Sequence, residues 1–248
     1  GTVTGFVGPN GAGKTTTMRC LLGLTSPTSG RATFEGKTYV ELDDPIRSVG
    51  VVLEGASFYP GRSGRDHLRV MARPAGIPDD RVDEVLALVG LSEYGRNRTK
   101  TYSMGMKQRL AMGTALLGEP EVLVLDEPAN GLDPEGMRWM REFLRYHAGS
   151  GGTVLISSHV LSEVALAADE VVILDRGKLV KIAALDELTT GATPRTRVRS
   201  PEAGRLAGLL GAAGAEVQDG GDGVLLVGST PEQVGQIAAD NGIVLSEL

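Results

Sequence analysis

A glycine-rich stretch near the start of the sequence has the composition and spacing of a phosphate-binding loop. It follows the pattern G-x-x-x-x-G-K-[ST] and comprises Gly8, Pro9, Asn10, Gly11, Ala12, Gly13, Lys14, Thr15 and Thr16. Glycines let consecutive backbone N–H groups turn toward an anion without a Cβ clash, and the lysine adds a charge for the outer phosphates. The hydroxyl of Thr15 can ligate Mg²⁺, and a helix starting near Gly13 would direct its positive end at the same anion. This phosphate loop predicts a nucleotide site but not which reaction follows.

A pair of carboxylates at the end of an apolar run is the second candidate. Glu121 is followed by the apolar run Val122–Leu125 and then by Asp126 and Glu127. A buried strand delivers the side chains at its end to the carboxyl edge of a parallel sheet, where ligands bind in open α/β folds. There Asp126 would hold Mg²⁺, and Glu127 would orient or deprotonate an attacking water beside the terminal phosphate.

A serine-capped helix start is the third candidate. Ser103 is placed to cap a helix that runs toward Leu117, and Gly105 allows close approach to the backbone. Such a start is a second potential phosphate site, although the same pattern is typical of an ordinary capped helix.

The elements that must position these residues alternate along the chain. Short apolar runs predict strands at Val3–Val7, Arg31–Phe34, Val49–Leu53, Val122–Leu125, Thr153–Ser157 and Val171–Leu174. Helices are predicted at Lys14–Leu22, Pro134–His147 and Val160–Ala167, and residues 54–117 read as an inserted helical subdomain. This alternation favours an α/β fold with a mostly parallel sheet that helices cover on both faces.

Local signals add detail to this scheme. Within the helical subdomain one helix is marked by Val82, Val85, Leu86 and Val89, with Asp79 or Asp80 as N-cap and Gly90 past the end. Further along, Asp175–Lys178 has the composition of a hairpin turn.

The last part of the sequence predicts a separate, smaller domain. Thr189–Pro194 has the composition of a linker, between a large domain at residues 1–188 and an accessory domain at residues 195–248. The accessory domain has the predicted order strand, helix, strand, strand, helix, strand, at Arg195–Arg199, Pro201–Ala213, Ala215–Gln218, Val224–Val227, Pro231–Ala239 and Ile243–Leu245. That βαββαβ order is the ferredoxin-like α+β arrangement. An irregular extension packed on the main domain is the alternative.

Composition narrows the function classes. The 248 residues carry 25 basic and 31 acidic side chains, and the net charge of −6 gives no support to a nucleic-acid partner. The single Cys20 cannot form an internal disulfide, so a reducing compartment fits. No apolar run approaches about 18 residues and we expect no signal peptide, so another chain would supply any membrane-spanning part.

Taken in order, the motifs resemble those of the ATP-binding subunits of ABC transporters. The phosphate loop resembles the Walker A motif, and Val122–Glu127 resembles the Walker B motif with its catalytic glutamate. Tyr102–Arg109 resembles the family signature, Ala129–Asp133 the D-loop and Ser157–His159 the switch histidine. Order and spacing follow the family from residue 1 to about residue 185.

The resemblance implies a P-loop NTPase fold, ATP and Mg²⁺ as ligands, and two subunits paired head to tail, most simply as a homodimer. In such a pair each phosphate loop faces the helix start at Ser103 and Gly105 of the other copy, and Asp133 lies at the interface. The implied catalytic residues are Glu127 and His159, and the implied Mg²⁺ ligands are Thr15, Asp126 and Glu54.

Two motifs depart from the family pattern. Met104 and Met106 replace a glycine and the glutamine of the signature, a variant that resembles drug-resistance and related type-2 exporters rather than nutrient importers. Glu54 replaces the Q-loop glutamine, which in the family contacts Mg²⁺ and moves with the membrane partner. A glutamate can still ligate Mg²⁺, but it adds negative charge beside the phosphates.

Family members also have an antiparallel strand pair before the position of Gly1, and an aromatic residue that stacks on adenine. We therefore expect this sequence to be a fragment or to hold adenine loosely, since Tyr39 is the nearby aromatic candidate and is not favoured. Lost stacking would weaken binding about tenfold or more.

The predicted function is an ATP-hydrolysing motor of an exporter. It would drive a separate membrane permease, docked on the helical segment 54–105, and would lie in the cytoplasm against the inner face of the plasma membrane. A non-transport ABC ATPase of translation or DNA repair is the alternative, but those proteins usually carry two cassettes or basic tails. A P-loop kinase for a small metabolite is a third hypothesis, but such a kinase would not require a segment like Tyr102–Arg109.

Overall fold

The computed structural model describes residues 1–55, 58–190 and 195–248, which form two units, Gly1–Leu185 and Asp186–Leu248. The six strands of the first unit are β1 (Thr2–Val7), β2 (Val49–Val52), β3 (Val122–Leu125), β4 (Thr153–Ser158), β5 (Glu170–Asp175) and β6 (Lys178–Ala184). Its helices are α1 (Lys14–Leu21), α2 (Pro45–Ser48), α3 (Gly64–Ala72), α4 (Asp79–Leu88), α5 (Met104–Ala115), α6 (Pro134–Gly149) and α7 (Leu161–Val164). Within the described residues, every helix is too short or too polar to cross a membrane.

The sheet of the first unit is mostly parallel, as the sequence predicts. Strand order is β2-β3-β4-β1-β5-β6, and only the β5–β6 hairpin is antiparallel. The hairpin turn predicted at Asp175–Lys178 is present, and Arg176 and Gly177 adopt the positive φ angles of 47° and 74° that such a tight turn requires.

Strand register determines which loops meet at one edge of this sheet. Val7 pairs with Ser158, and Leu125 pairs with Ile156, in parallel ladders. The chain segments that follow β1, β3 and β4 therefore emerge side by side at the carboxyl edge, where ligands bind in open α/β folds.

The predicted helical subdomain lies between β2 and β3 in the chain and contains α3, α4 and α5. These helices share an apolar core that includes Leu68, Val82, Val85 and Leu110. The predicted N-cap of α4 is wrong, because Pro78 holds the cap position and Asp79 and Asp80 lie in the first turn. Acidic side chains there still favour the helix through its dipole.

The strand predicted at Arg31–Phe34 is wrong. The chain reverses at Glu35 and Gly36, where φ is 48° and 86°, and only an isolated bridge between Phe34 and Lys37 forms. The tight turn ends the extended segment before a ladder can develop.

The helix predicted at Val160–Ala167 is shorter and is limited to α7. The N–H groups of Ala167 and Ala168 both donate to the Val164 carbonyl, so the chain tightens and leaves the helix. Asp169 then accepts a hydrogen bond from the Val3 N–H at 2.8 Å and leads into β5.

Strand β6 forms one edge of the sheet. The side chains of Leu179, Val180 and Ile182 are 57%, 61% and 58% exposed. Within the described residues, β6 has a strand partner on one side only.

The second unit is an antiparallel sheet packed against two helices. After α8 (Leu185–Thr190), which begins at the unit boundary, come β7 (Arg195–Arg199), α9 (Ala203–Ala212), β8 (Val217–Gly221), β9 (Val224–Gly228) and α10 (Pro231–Asp240). The strand order is β7-β9-β8, and the core comprises Val198, Leu206, Leu210, Leu225, Val227, Val234, Ala238 and Ile243. Of the predicted linker Thr189–Pro194, the last four residues lie outside the described residues.

The final strand predicted at Ile243–Leu245 is wrong. Ile243 turns into the core, and Ser200 Oγ donates to the Val244 carbonyl at 2.8 Å. Only one isolated bridge, between Arg199 and Glu247, lies where a fourth strand would pair with β7. The described unit therefore has the order β-α-β-β-α.

Candidate functional site

The phosphate loop joins β1 to α1 and is shaped by its glycines. Gly11 and Gly13 have φ angles of 80° and 105°, a left-handed conformation that glycine adopts at little cost. A Cβ at Gly8 would lie 2.4 Å from the Leu174 carbonyl oxygen, so only glycine fits there. Because the first N–H groups of a helix lack intrahelical acceptors, this loop and the start of α1 together offer donors to an anion.

Lys14 begins α1, and only 6% of it is exposed. Its Nζ donates to the Gly8 carbonyl at 2.7 Å and lies 3.3 Å from Oε1 of Glu127. The ammonium group thus connects the phosphate loop with the Glu127 carboxylate, which follows β3.

Asp126 directly follows β3 and is buried. Its Oδ1 accepts a hydrogen bond from Ser157 Oγ at 2.6 Å, whereas its equally buried Oδ2 has no hydrogen-bond partner among the described residues. A buried carboxylate oxygen without a partner is costly. This oxygen therefore has the environment of a cation ligand, directly or through water.

Glu127 adopts a left-handed backbone with φ of 48°, which is unusual for a residue with a side chain. Its N–H donates to Ser157 Oγ at 2.8 Å. Its carboxylate bridges two cationic or polar groups, with Oε1 near Lys14 and Oε2 3.0 Å from Nδ1 of His159. His159 follows β4, so the parallel register brings these side chains together.

A cavity of about 340 Å³ lies between the phosphate loop and these side chains. The loop contributes Asn10, Gly11, Gly13, Lys14, Thr15 and Thr16 to the lining. The opposite wall comprises Glu54, Glu127, Asn130 and His159. Residues separated by most of the first unit's sequence thus meet around one polar space.

Seven predicted site residues are not part of this lining, namely Gly8, Pro9, Ala12, Asp126, Ser103, Gly105 and Asp133. Ser103 caps α5, with its Oγ accepting from the Met106 N–H at 3.2 Å. Asp133 caps α6, with its Oδ1 accepting from the Gly136 N–H at 2.8 Å. Ser103 and Asp133 are solvent-exposed, and Gly105 is half-buried. Within one copy of the chain they therefore do not contribute to the lining.

Sequence reasoning missed two residues of this region. Asn130 lines the cavity but entered the sequence analysis only as part of the D-loop. Ser157 contacts both carboxylate residues but entered only as part of the switch-histidine motif. The available signal was a serine near the end of a predicted buried strand, where an unpartnered hydroxyl is costly.

The residues in and beside the cavity fit a magnesium ion that would be held largely by a nucleotide. Among the described residues, no group of three or more His, Cys, Asp or Glu side chains could hold a metal alone. Mg²⁺ commonly takes one or two protein oxygens and completes its shell with water and phosphate. The buried Oδ2 of Asp126 and the Thr15 hydroxyl can supply such oxygens.

Comparison with known proteins agrees with this geometry. The sequence profile of the family described as ABC transporter matches residues 1–130, more than half of the chain. The chain belongs to the ABC transporter ATP-binding family. A second profile, described as a domain of unknown function (DUF8746), matches residues 194–248.

Curated relatives of this ABC chain are bacterial transport ATP-binding proteins. It is 43% identical over 185 residues to the uncharacterized ABC transporter ATP-binding protein YhcH of Bacillus subtilis, covering 73% of this chain and 61% of the relative. It is 43% identical over 191 residues to the bacitracin transport ATP-binding protein BcrA of Bacillus licheniformis, covering 76% of this chain and 62% of that protein. It is 39% identical over 180 residues to the lantibiotic transport ATP-binding protein SrtF of Streptococcus pyogenes, covering 73% and 78%.

A solved structure shares the ABC fold. The chain resembles an ATP-binding subunit of an ABC transporter with a TM-score of 0.67 and 28% identity, covering 77% of this chain and 82% of that one. The chain spans about 61–62% of the length of the first two curated relatives.

Proposed function

We propose that this chain is the ATP-binding and ATP-hydrolysing motor subunit of an ABC exporter. The observation that carries the proposal is the meeting of Lys14, Glu127 and His159 around the cavity beside the phosphate loop. The names of BcrA and SrtF, transport proteins for bacitracin and for a lantibiotic, support an exporter of that kind.

Phosphate binding falls to the loop and to Lys14. The glycine conformations leave backbone N–H groups available to a polyphosphate, and the N-terminus of α1 adds a partial positive charge. Lys14 has its ammonium group beside the loop and can exchange its contact with the Gly8 carbonyl for a contact with a phosphate oxygen. This exchange would also release Oε1 of Glu127.

Mg²⁺ would be held by Thr15 and Asp126, with Glu54 as a further oxygen ligand from the opposite wall. When bound, the ion neutralises charge that develops on the phosphates. Asp126 keeps one oxygen available for this role because the other is tied to Ser157.

Glu127 and His159 would activate the attacking water. A carboxylate beside the terminal phosphate can accept the proton of the attacking water as a general base. His159 holds Oε2 of Glu127 at 3.0 Å and, being 41% exposed, can also donate to a phosphate oxygen in the cavity.

A second copy would complete the site. Ser103 and Gly105 lie at the start of α5, and Asp133 lies at the start of α6, all outside the cavity lining of their own copy. In a head-to-tail homodimer, the start of α5 in one copy would contact the terminal phosphates held by the other. ATP would then contribute directly to the stability of the dimer.

The remaining assignments concern organisation and location. Residues 1–188 would form the ATPase domain and residues 195–248 an accessory domain. The helical segment 54–105 would dock on a separate membrane permease, and this would place the subunit in the cytoplasm against the inner face of the plasma membrane. The net charge of −6 supports the absence of a nucleic-acid partner.

Hydrolysis by the purified chain tests the proposal. Glu127→Gln keeps the size of the side chain but removes the base, so kcat should fall about 10²- to 10⁴-fold while nucleotide binding persists. The matched control is Glu121→Gln, an exposed glutamate just before the same strand, which should keep wild-type turnover. Undiminished turnover in Glu127→Gln would overturn the catalytic assignment.

A further inference from the structure

Ser157 lies in β4, which pairs with the strand that precedes the two carboxylates, and it is two residues before His159. It is only 1% exposed. Its Oγ donates to Oδ1 of Asp126 at 2.6 Å and accepts from the N–H of Glu127 at 2.8 Å. One hydroxyl therefore uses both its donor and an acceptor position on consecutive residues of the proposed site.

The register of the sheet explains how this contact arises. Leu125 pairs with Ile156 in the parallel β3–β4 ladder, so Ser157 lies level with the residues at which β3 ends. Beyond Leu125 the Glu127 backbone turns left-handed, and its N–H leaves the strand ladder. A buried N–H needs a partner, and Ser157 supplies it.

The two hydrogen bonds have different consequences for the two carboxylates. The bond to Asp126 occupies Oδ1 and leaves the buried Oδ2 as the oxygen available to a cation. The bond from Glu127 holds a left-handed backbone conformation that a residue with a side chain rarely adopts. That conformation directs the Glu127 carboxylate toward Lys14 and His159.

We propose that Ser157 is a positioning residue that orients Asp126 toward Mg²⁺ and fixes Glu127 as the base. This inference rests on the proposed ATPase function and adds to it a residue that contacts no substrate. The proposal also assigns different roles to Ser157 and Ser158, two adjacent serines of β4 that look equivalent in the sequence.

Ser158, the neighbouring serine, provides the matched control. Its Oγ accepts from the Val160 N–H at 3.0 Å and lies 3.3 Å from Oε2 of Glu163, so it serves the turn into α7. Ser158→Ala removes a hydroxyl from the same strand end without touching Asp126 or Glu127.

The experiment compares wild type, Ser157→Ala, Ser157→Thr and Ser158→Ala, with melting temperatures to confirm folding. The binding readout is the affinity for a fluorescent ATP analogue, measured in Mg²⁺ and again in EDTA. The second readout is kcat for ATP hydrolysis. Should Ser157→Ala not fold, Ser157→Cys replaces it, because a thiol keeps the volume and is a weak donor.

In Ser157→Ala, we expect the increase in affinity on adding Mg²⁺ to be smaller by about tenfold or more, because a hydrogen bond to a charged group is lost. We expect kcat of this variant to fall by a similar factor. Its affinity in EDTA should match wild type, and Ser157→Thr and Ser158→Ala should behave like wild type in both assays. A threonine that rescues function distinguishes the hydroxyl's positioning role from simple packing.

Two results would overturn the inference: an unchanged Mg²⁺ gain in Ser157→Ala, or equal losses of affinity in Mg²⁺ and EDTA. Failure of the proposed function has a different signature, since the wild type itself would then bind the analogue without hydrolysing ATP. The increase in analogue affinity on adding Mg²⁺ would still test whether Ser157 orients Asp126.

Discussion

Lys14 and Glu127 form an ion pair that is nearly buried, with Nζ 3.3 Å from Oε1 and exposed fractions of 6% and 8%. The pair connects the phosphate loop after β1 with the strand end of β3. Each partner also has a second contact, the Gly8 carbonyl for Lys14 and His159 for Glu127. The Lys14 ammonium group therefore already has a counter-charge within the protein.

The first prediction concerns this pair. Lys14→Met should weaken nucleotide binding at least tenfold and also lower the free energy of unfolding, because the Glu127 carboxylate loses its cation. Adding Glu127→Gln should recover part of that stability, with a coupling energy of about 0.5–3 kcal/mol. Urea unfolding of the wild type, both single variants and the double variant measures this term. Simple additivity would show that the pair does not contribute to stability.

The second prediction separates two roles of Ser103. Aspartate is as good an N-cap as serine, so Ser103→Asp should keep wild-type stability, whereas Ser103→Ala should cost about 1 kcal/mol. The added charge of Ser103→Asp should prevent contact with a partner's ATP. Light scattering of Glu127→Gln with and without Ser103→Asp measures the ATP-dependent dimer. A dimer of unchanged affinity would contradict the proposed head-to-tail contact.

The third prediction concerns the contacts that Trp139 makes with two helices of the helical subdomain. Trp139 Nε1 on α6 donates to the Leu88 carbonyl at 3.3 Å, and the Arg109 guanidinium on α5 lies 4.8 Å from the centre of the Trp139 ring. Trp139→Ala should lower the free energy of unfolding by about 1–2 kcal/mol, because it removes both contacts. Trp139→Phe keeps a ring for Arg109 and should lose less. Urea denaturation, monitored by circular dichroism, gives the free energy of unfolding of both variants. Equal losses in Trp139→Ala and Trp139→Phe would show that the contact between Arg109 and the ring does not contribute to stability.

The fourth prediction is a pH dependence of stability. Burial, and secondarily the positive charge of Arg62, lowers the pKa of His67, whose Nε2 lies 3.2 Å from Thr114 Oγ1. The unfolded chain then binds a proton more readily than the folded one, so stability is greatest above the ordinary histidine pKa of about 6.5 and falls below it. Urea unfolding between about pH 7.5 and 5.5 should show this decline.

His67→Gln provides the comparison for that measurement. The variant should have a flatter pH profile, because one of the groups that take up a proton on unfolding is gone. Some slope should persist, since burial also lowers the pKa of His147. Identical slopes in wild type and variant would exclude His67 as a source of the effect.

Several parts of the fold and the site follow from the sequence alone. The glycines of the phosphate loop are required by its backbone, and the short, valine-rich apolar run before Asp126 favours a buried strand over a helix, so local sequence located both. The α/β sheet followed from the same apolar runs. These features depend on local chemistry, which a single sequence displays directly.

Other parts depend on contacts between distant residues. The pairing of Ser157 with Asp126 and Glu127 requires the β3–β4 register, which no local pattern encodes. The predicted strand at Arg31–Phe34 failed because a turn at Glu35 and Gly36 outweighed β propensity. The final strand failed because Ile243 gained more by entering the core than by extending the sheet.

Strand β6 has a consequence for handling the protein at high concentration. Its apolar side chains and its edge, which has no strand partner among the described residues, form a template on which another extended segment can add. Storage losses should therefore rise steeply with protein concentration and begin with native chains, before any unfolding. A single charge at Val180 would protect the stock by making that edge a poor template.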